Sequence, residues 1–124
     1  MKTASRTLTP QELEIMKIVW ELGSATVRDV YERLLERRKV AYTTVMTMMK
    51  ILEQKKFLKK SQVDRAYLYQ PARPKNQVVR NMVQEFVDRV FNGSARPLLL
   101  QLIKDRRLSD EEIAEIERLI QENR

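Results

Sequence analysis

The stretch VAYTTVMTMMK, residues 40–50, carries the most information about the fold of this chain. Its intrinsic helix propensity is mediocre, because threonine and valine lose side-chain freedom in a helix. Its apolar residues nevertheless recur with the i, i+3, i+4, i+7 spacing of one helix face. They are Val45, Met48, Met49 and, just beyond the stretch, Leu52. The spacing therefore predicts a helix over residues 42–54 rather than a strand.

Core packing does not explain the threonines of this helix. Turning the apolar stripe inward leaves Thr43, Thr44 and Thr47 largely on the other side. Met46 and Lys50 lie beside them. Threonine hydroxyls bond to base edges and phosphates, and the threonine methyl contacts the thymine methyl. The face is either a DNA-reading surface or an exposed surface carrying poor helix formers, and the stretch alone leaves both interpretations open.

Two helices are predicted before this stretch. Thr9, Pro10 and Glu12 combine a capping box with a proline at the first helical position. The predicted buried stripe of this helix is Leu13, Met16, Val19 and Trp20. Gly23 ends the helix. Thr26 then begins a second helix with the same kind of cap.

Two short β segments are predicted after it. Residues 58–62 and 65–70 flank a polar turn at Val63 and Asp64. Residues 71–75, with two prolines, form a predicted linker. Three helices followed by a hairpin is the element order of a winged helix-turn-helix, in which the third helix enters the major groove and the hairpin lies over the DNA backbone as a wing.

Only helices are predicted beyond residue 75, over 76–91, around 97–104 and from a capping box at Ser109. The apolar arc of the long helix is too wide for a helix lying singly on a small domain, and the segment is short for a core of its own. It is either a closed helical subdomain or, as we expect, the interface of a homodimer. The residues predicted for that interface are Val79, Met82, Phe86, Val90, Leu99, Leu102, Ile103, Ile113, Ile116 and Ile120. The predicted fold class is mainly α, with a winged helix-turn-helix DNA-binding domain over residues 1–75 and an all-helical dimerisation domain over residues 76–124.

The positive charge of the chain lies in its first part. The net charge is +7, and residues 1–75 hold 16 Lys and Arg against 8 Asp and Glu, whereas residues 76–124 hold 8 against 9. This uneven charge indicates that the first part of the chain binds nucleic acid and that the second part mediates association. A basic surface that only faces solvent has the same composition. The basic residues expected to contact the DNA backbone, together with one tyrosine, are Arg37, Arg38, Lys39, Tyr42, Lys50, Lys59, Lys60 and Arg65.

The composition also excludes several classes of function. Because the chain has no cysteine and no histidine, disulfides, thiol chemistry and zinc sites built from those residues are excluded, and the commonest general base is missing. No apolar run is long enough to span a bilayer, and residues 1–9 show no signal-peptide pattern. We expect a cytoplasmic protein that is not an enzyme, needs no cofactor and does not insert into a membrane.

Five strings of the sequence together resemble the penicillinase-repressor (BlaI/MecI) family, over about residues 8–120. They are LEIMKIVW at 13–20, YTTVMT at 42–47, RAYLYQP at 65–71, FNGS at 91–94 and LSDEEI at 108–113. The resemblance implies a homodimeric winged-helix repressor that sits on palindromic operators and is released through a membrane-bound sensor metalloprotease. It also implies that bases are read by Thr43, Thr44, Met46 and Thr47.

The chain departs from that family where function is affected. The recognition helix starts Ala41-Tyr42-Thr43-Thr44, where the best-known members have Ser-Pro-Lys-Thr, so a different operator is expected. Lys56 and Asp64 stand where glycines are common, and the bond that is cut in those members aligns with Gln101–Leu102. Without C-terminal cysteines, copper sensing is not expected. The alternative function is a winged-helix adaptor that binds an acidic protein partner and no specific DNA.

Overall fold

The computed structural model describes residues 7–123 and shows six helices and one two-stranded sheet in that range. The elements are α1 (Pro10–Leu22), α2 (Val27–Leu35), α3 (Tyr42–Gln54), β1 (Leu58–Val63), β2 (Ala66–Pro71), α4 (Lys75–Phe91), α5 (Arg96–Lys104) and α6 (Asp110–Glu122). This order confirms the predicted mainly-α, winged helix-turn-helix class. The prediction that the chain begins without a signal peptide concerns residues that lie largely outside the described range.

The chain divides into two units, the first ending at Arg80 and the second beginning at Asn81, so that α4 belongs to both. All the buried apolar side chains of the described residues lie in the first unit. They are Leu8, Ile15, Met16, Ile18, Val19, Ala25, Val30, Leu34, Val45, Met49, Leu52, Phe57, Leu58, Tyr69 and Val78. In residues 81–123 every described side chain is exposed or half-buried.

Helix α1 begins and ends as predicted but buries a different face. The Thr9 hydroxyl accepts from the Glu12 N–H at 3.1 Å in a capping box, and Gly23 ends the helix with a φ of 83°. The predicted stripe was wrong at Leu13 and Trp20, which are only half-buried. The buried face is formed by Ile15, Met16, Ile18 and Val19. Because α1 packs against α2, α3 and β2 at once, its buried arc is wider than one stripe and is rotated.

A buried ion pair joins the start of α1 to the end of α3. Glu12 is only 5% exposed, and its carboxylate accepts from the Lys55 ammonium at 2.9 and 3.1 Å. The same carboxylate accepts from the Thr9 N–H at 2.9 Å, and Lys55 also donates to the Thr7 carbonyl at 3.3 Å. A buried carboxylate is tolerated only when it is paired and hydrogen-bonded, as this one is.

Helix α3 has the bounds that the sequence predicts and ends in a Schellman motif. The Lys56 N–H donates to the Glu53 carbonyl at 3.0 Å, and the Phe57 N–H donates to the Leu52 carbonyl at 2.9 Å. This closure requires a left-handed residue, and Lys56 has a φ of 72°. Phe57, whose side chain is buried, directly precedes β1.

The hairpin, which we call the wing, is antiparallel and its turn lies one residue later than predicted. Val63 pairs with Ala66, so the two turn residues are Asp64 and Arg65 rather than Val63 and Asp64. The physical reason is that Asp64 takes the left-handed conformation, with a φ of 58°, which a β-branched valine disfavours. At the base of the wing, Tyr69 exchanges backbone hydrogen bonds of 2.8 and 2.9 Å with Ala25.

Candidate nucleic-acid interface

The predicted base-reading side chains share one exposed face of α3. Thr43, Thr44 and Thr47 are all exposed, and Met46 is 42% exposed. On the opposite side of the helix Val45, Met49 and Leu52 are buried, which fixes the rotation of α3 about its axis. The structure thus brings together the four side chains that the sequence analysis assigned to base reading.

The N-terminus of α3 has no side-chain cap. Its N-cap residue is Ala41, whereas α1, α2 and α6 all begin with a complete capping box. The first backbone N–H groups of a helix have no acceptor inside the helix, and the helix dipole makes this end partly positive. The end of α3 next to Thr43 and Thr44 therefore suits an anion such as a DNA phosphate.

An aromatic and cationic cluster holds Tyr42 in place at this end. Its ring meets the Tyr31 ring edge to face, with centroids 5.3 Å apart and an interplanar angle of 78°. The Arg28 guanidinium lies 5.7 Å from the Tyr42 centroid and 3.5 Å from the Glu32 carboxylate. Arg28 is not predictable from the sequence, because this contact depends on how α2 crosses α3 and leaves no local signal.

An open groove of about 610 Å³ separates α3 from the wing. Its walls come from the start of α2, from the exposed face of α3 and from one face of the wing. The lining residues are Thr26, Val27, Arg28, Tyr42, Met46, Lys50, Lys60, Arg65, Ala66, Tyr67 and Tyr69. Four of them are cationic and none is acidic, so the groove attracts negative charge.

The basic residues assigned to the DNA backbone fall into two groups. In the described part of the chain, four form no ion pair with the protein and project freely. They are Lys39, Lys50, Lys59 and Arg65. Arg38, by contrast, donates to Glu14 at 2.8 Å, a hydrogen bond that raises the pKa of its guanidinium, and Arg37 lies 4.0 Å from the same carboxylate.

Lys60 is also engaged within the protein. Its ammonium lies 3.5 Å from a Glu53 carboxylate oxygen and 4.4 Å from the centroid of the Tyr67 ring. Burial raises the pKa of the neighbouring Tyr69 hydroxyl, and the Lys60 charge acts in the opposite direction. Glu53 and Tyr67 were missed by the sequence analysis, although the hairpin register places Tyr67 on the same face as Lys60.

The side chains predicted for dimerisation remain accessible. Val79, Phe86, Val90, Ile103 and Ile120 are exposed to between 38% and 51%. The remaining five are half-buried: Met82, Leu99, Leu102, Ile113 and Ile116. Within α4, the Phe86 ring meets the Phe91 ring edge to face at 5.8 Å.

Comparison with known proteins assigns the chain to a family. Residues 8–122 match the family model described as Penicillinase repressor. The chain belongs to the penicillinase repressor family. The match covers the described helices and both strands, and it confirms the resemblance seen in the five sequence strings.

Two similar proteins are a penicillinase repressor and a transcriptional regulator. The penicillinase repressor of Bacillus licheniformis is 26% identical over 94% of this chain and 91% of that protein. The transcriptional regulator BlaI of Mycobacterium tuberculosis is 33% identical over 75% of this chain and 69% of that protein. Members of the penicillinase repressor family are DNA-binding transcriptional repressors, which confirms the prediction that this protein is not an enzyme.

Solved structures agree with the fold. The solution structure of the DNA-binding domain of the repressor BlaI aligns with a TM-score of 0.52 at 26% identity, covering 56% of this chain and 85% of that one. A second structure, of the Bacillus licheniformis BlaI monomeric form in complex with the blaP half-operator, aligns with a TM-score of 0.51. MarR from E. coli aligns over 93% of this chain with a TM-score of 0.54 at 14% identity, which supports the winged-helix fold alone.

The bond that the sequence resemblance predicts to align with the family's cleavage position lies inside a helix. Gln101 and Leu102 are in the second half of α5, and the Gln101 amide donates to the Asp105 carboxylate at 3.1 and 3.2 Å. Leu102 is half-buried.

Of the helices in the described residues, none combines the length and the apolar character that crossing a bilayer requires.

Proposed function

We propose that this member of the penicillinase repressor family binds palindromic operators as a homodimer and thereby represses transcription. The observation that carries the proposal is the exposed threonine face of α3, set between the uncapped end of the helix and a cationic groove. Such a face can enter the major groove, while the groove beside it accommodates a phosphate backbone.

Within that proposal, the side chains of the interface have different roles. Thr43, Thr44, Met46 and Thr47 read base edges and thymine methyls, because they are exposed on the face of α3 that the core does not use. The four free cations, together with the Tyr42 hydroxyl and the end of α3, contact phosphates. Arg38 is held by Glu14, so a phosphate contact by Arg38 has to compete with that ion pair.

Homodimerisation is proposed from the second unit. Residues 81–123 contain no buried side chain, yet α4, α5 and α6 carry apolar residues at helical spacing. A protein segment that leaves so much apolar surface in water gains stability by burying it against a partner. A symmetric dimer also matches a palindrome, because each subunit reads one half-site. In this proposal residues 1–75 form the DNA-binding domain and residues 76–124 form the dimerisation domain.

Derepression is proposed to follow from a membrane-bound sensor metalloprotease. A cut between Gln101 and Leu102 would separate α6, with Ile113, Ile116 and Ile120, from the rest of the dimerisation domain. Because the bond lies within α5, that helix has to unwind locally before cleavage. Co-expression with the sensor, followed by mass spectrometry of the repressor fragments, tests this step, and a cut elsewhere or no cut would refute the assignment of the bond.

Selection of genomic fragments on the purified full-length protein, followed by footprinting, tests the function itself. We expect a shared palindrome whose half-sites are separated by about one helical turn of DNA or a multiple of it. We also expect the logarithm of the association constant for DNA, log K, to fall steeply as the logarithm of the salt concentration rises. A shallow salt dependence and no palindrome would instead support the winged-helix adaptor.

A further inference from the structure

One ammonium group connects three elements of the DNA-binding unit. Lys60 extends from β1, lies 3.5 Å from Glu53 on α3, and lies 4.4 Å from the ring of Tyr67 on β2. The Lys60 and Glu53 side chains are only 26% and 33% exposed, so this ion pair is partly shielded from water. Partial burial strengthens an ion pair relative to a fully exposed one.

The outer part of the wing has few other attachments to the domain. Its base is fixed by the backbone bridge between Ala25 and Tyr69 and by the buried Leu58, but residues 61–67 are all exposed. A two-stranded hairpin is only marginally stable by itself. The direction in which the tip carries Arg65 therefore depends on contacts such as the one between Lys60 and Glu53.

The position of Glu53 on α3 also supports a role in holding the wing. It is the acidic residue of α3, a helix whose other face is proposed to lie against polyanionic DNA, and an acid there weakens DNA binding by repulsion. A carboxylate in this position is understandable when its function is to hold the wing.

We propose that Glu53 and Lys60 are positioning residues, which set the direction of the wing on α3 so that Lys59 and Arg65 reach the DNA backbone. This inference rests on the proposed DNA-binding function. It differs from the direct assignment of Lys60 to a phosphate contact in one decisive consequence. Replacing Glu53 by glutamine removes a negative charge and frees a lysine, so it would strengthen DNA binding if Lys60 were a phosphate contact, but it weakens binding if Glu53 positions the wing.

The experiment measures the affinity of the full-length protein for duplex DNA as a function of salt concentration, for E53Q, K60M, K60R and K59M. K59M is the matched control, because it removes the same charge from the neighbouring residue, which has no ion pair in the described chain. Each phosphate contact contributes about 0.9 to the slope of log K against log salt. We expect K59M to lower the slope by about 0.9, and E53Q and K60M each to lower it by about twice as much, since both wing contacts are lost. K60R retains the pair and is expected to resemble the wild type.

A double-mutant cycle with R65A adds a second readout. If Lys60 acts through the wing, R65A has little further effect in the K60M background, whereas independent phosphate contacts would add. Thermal unfolding confirms that each variant is folded. If K60M does not fold, E53Q tests the positioning role in its place. The inference is overturned if E53Q binds DNA as tightly as the wild type or more tightly, or if K60M and R65A are additive. If the wild type itself shows no steep salt dependence, the proposed function fails, and that failure is distinct from the failure of the positioning role.

Discussion

At the scale of single residues, threonine and lysine on one surface contribute to DNA binding in different ways. A hydroxyl facing a base edge distinguishes one base pair from another, whereas an ammonium facing a phosphate attracts any duplex. We propose Thr44 as a base reader and Lys59 as a phosphate contact, since both are exposed and neither is engaged with another side chain of the described protein.

Replacing Thr44 by alanine is therefore expected to reduce the preference for operator over random DNA, at a cost of about 1–3 kcal/mol for operator binding. Lys59→Ala should weaken both kinds of DNA similarly and reduce the salt slope by about 0.9. Competition binding with operator and scrambled duplexes measures both effects. The division into base readers and phosphate contacts would be wrong if the two variants behaved alike.

Lys56 shows strain at a single residue. It closes the Schellman motif of α3 with a φ of 72°, a conformation that costs a residue with a Cβ roughly 1 kcal/mol and costs glycine nothing. We expect Lys56→Gly to raise the free energy of unfolding by up to about 1 kcal/mol. Urea denaturation measures the change, and Lys56→Ala is the control, because it removes the side chain without relieving the backbone. Equal stabilities of the two variants would contradict this explanation.

At the scale of elements, the pair between Glu12 and Lys55 stabilises the packing of α1 on α3. Removing the lysine leaves a buried carboxylate without its cationic partner, although the Thr9 N–H still donates to it. Lys55→Met is expected to lower the free energy of unfolding by about 3 kcal/mol, because breaking a buried pair leaves an uncompensated charge. Thermal or urea unfolding measures the loss.

Two variants make this test specific. Lys17→Met, on the exposed side of α1, removes a charge without touching the pair and should change stability by less than about 0.5 kcal/mol. Adding Glu12→Gln to Lys55→Met should recover part of the loss, since the buried charge is then gone. If the loss in free energy of unfolding of the double variant equals the sum of the losses of the two single variants, the pair does not act as a unit.

The elements that the sequence predicts correctly are those defined by local chemistry. The capping boxes at Thr9, Thr26 and Ser109 fix three helix starts, and the apolar spacing within residues 42–54 fixes α3. These signals lie within one or two turns of the chain, so a single sequence is enough to find them.

Features that depend on tertiary packing were not predictable in the same way. The buried face of α1 was misplaced because three elements pack around that helix, and the wing turn was misplaced by one residue because Asp64 takes the left-handed conformation. The partners of Arg38 and Lys60 lie on other elements, so a charge count treated these two residues like the free cations. The base-reading assignment remains a prediction.

At the scale of the whole molecule, charge and burial divide the chain in the same way. The first unit holds the buried core and all the excess positive charge, whereas the second holds apolar helices without buried side chains. If the second unit forms the proposed homodimer, the first unit supplies the affinity for DNA and the second supplies the contact between the two copies of the chain. Operator binding then depends on protein concentration through the dimer.

Phe86→Asp tests this coupling. Phe86 is 39% exposed on α4, and a two-fold interface contains the substituted residue twice. A cost of about 1.4 kcal/mol in each subunit therefore raises the dimer dissociation constant about 100-fold. Sedimentation velocity should show the variant as a monomer at concentrations at which the wild type is a dimer. Its binding to a palindrome should fall towards that of a half-site, while its affinity for a single half-site stays the same.

The matched control is Gln84→Asp, which places the same charge at an exposed polar position of the same helix and should leave the dimer intact. Because both substitutions add one negative charge, any general repulsion from DNA affects them equally, and the difference between them isolates the loss of the apolar contact. A wild-type protein that sediments as a monomer while still protecting a full palindrome would refute the dimer. An equal loss of dimer in both variants would show that charge, rather than the apolar face at Phe86, controls the association.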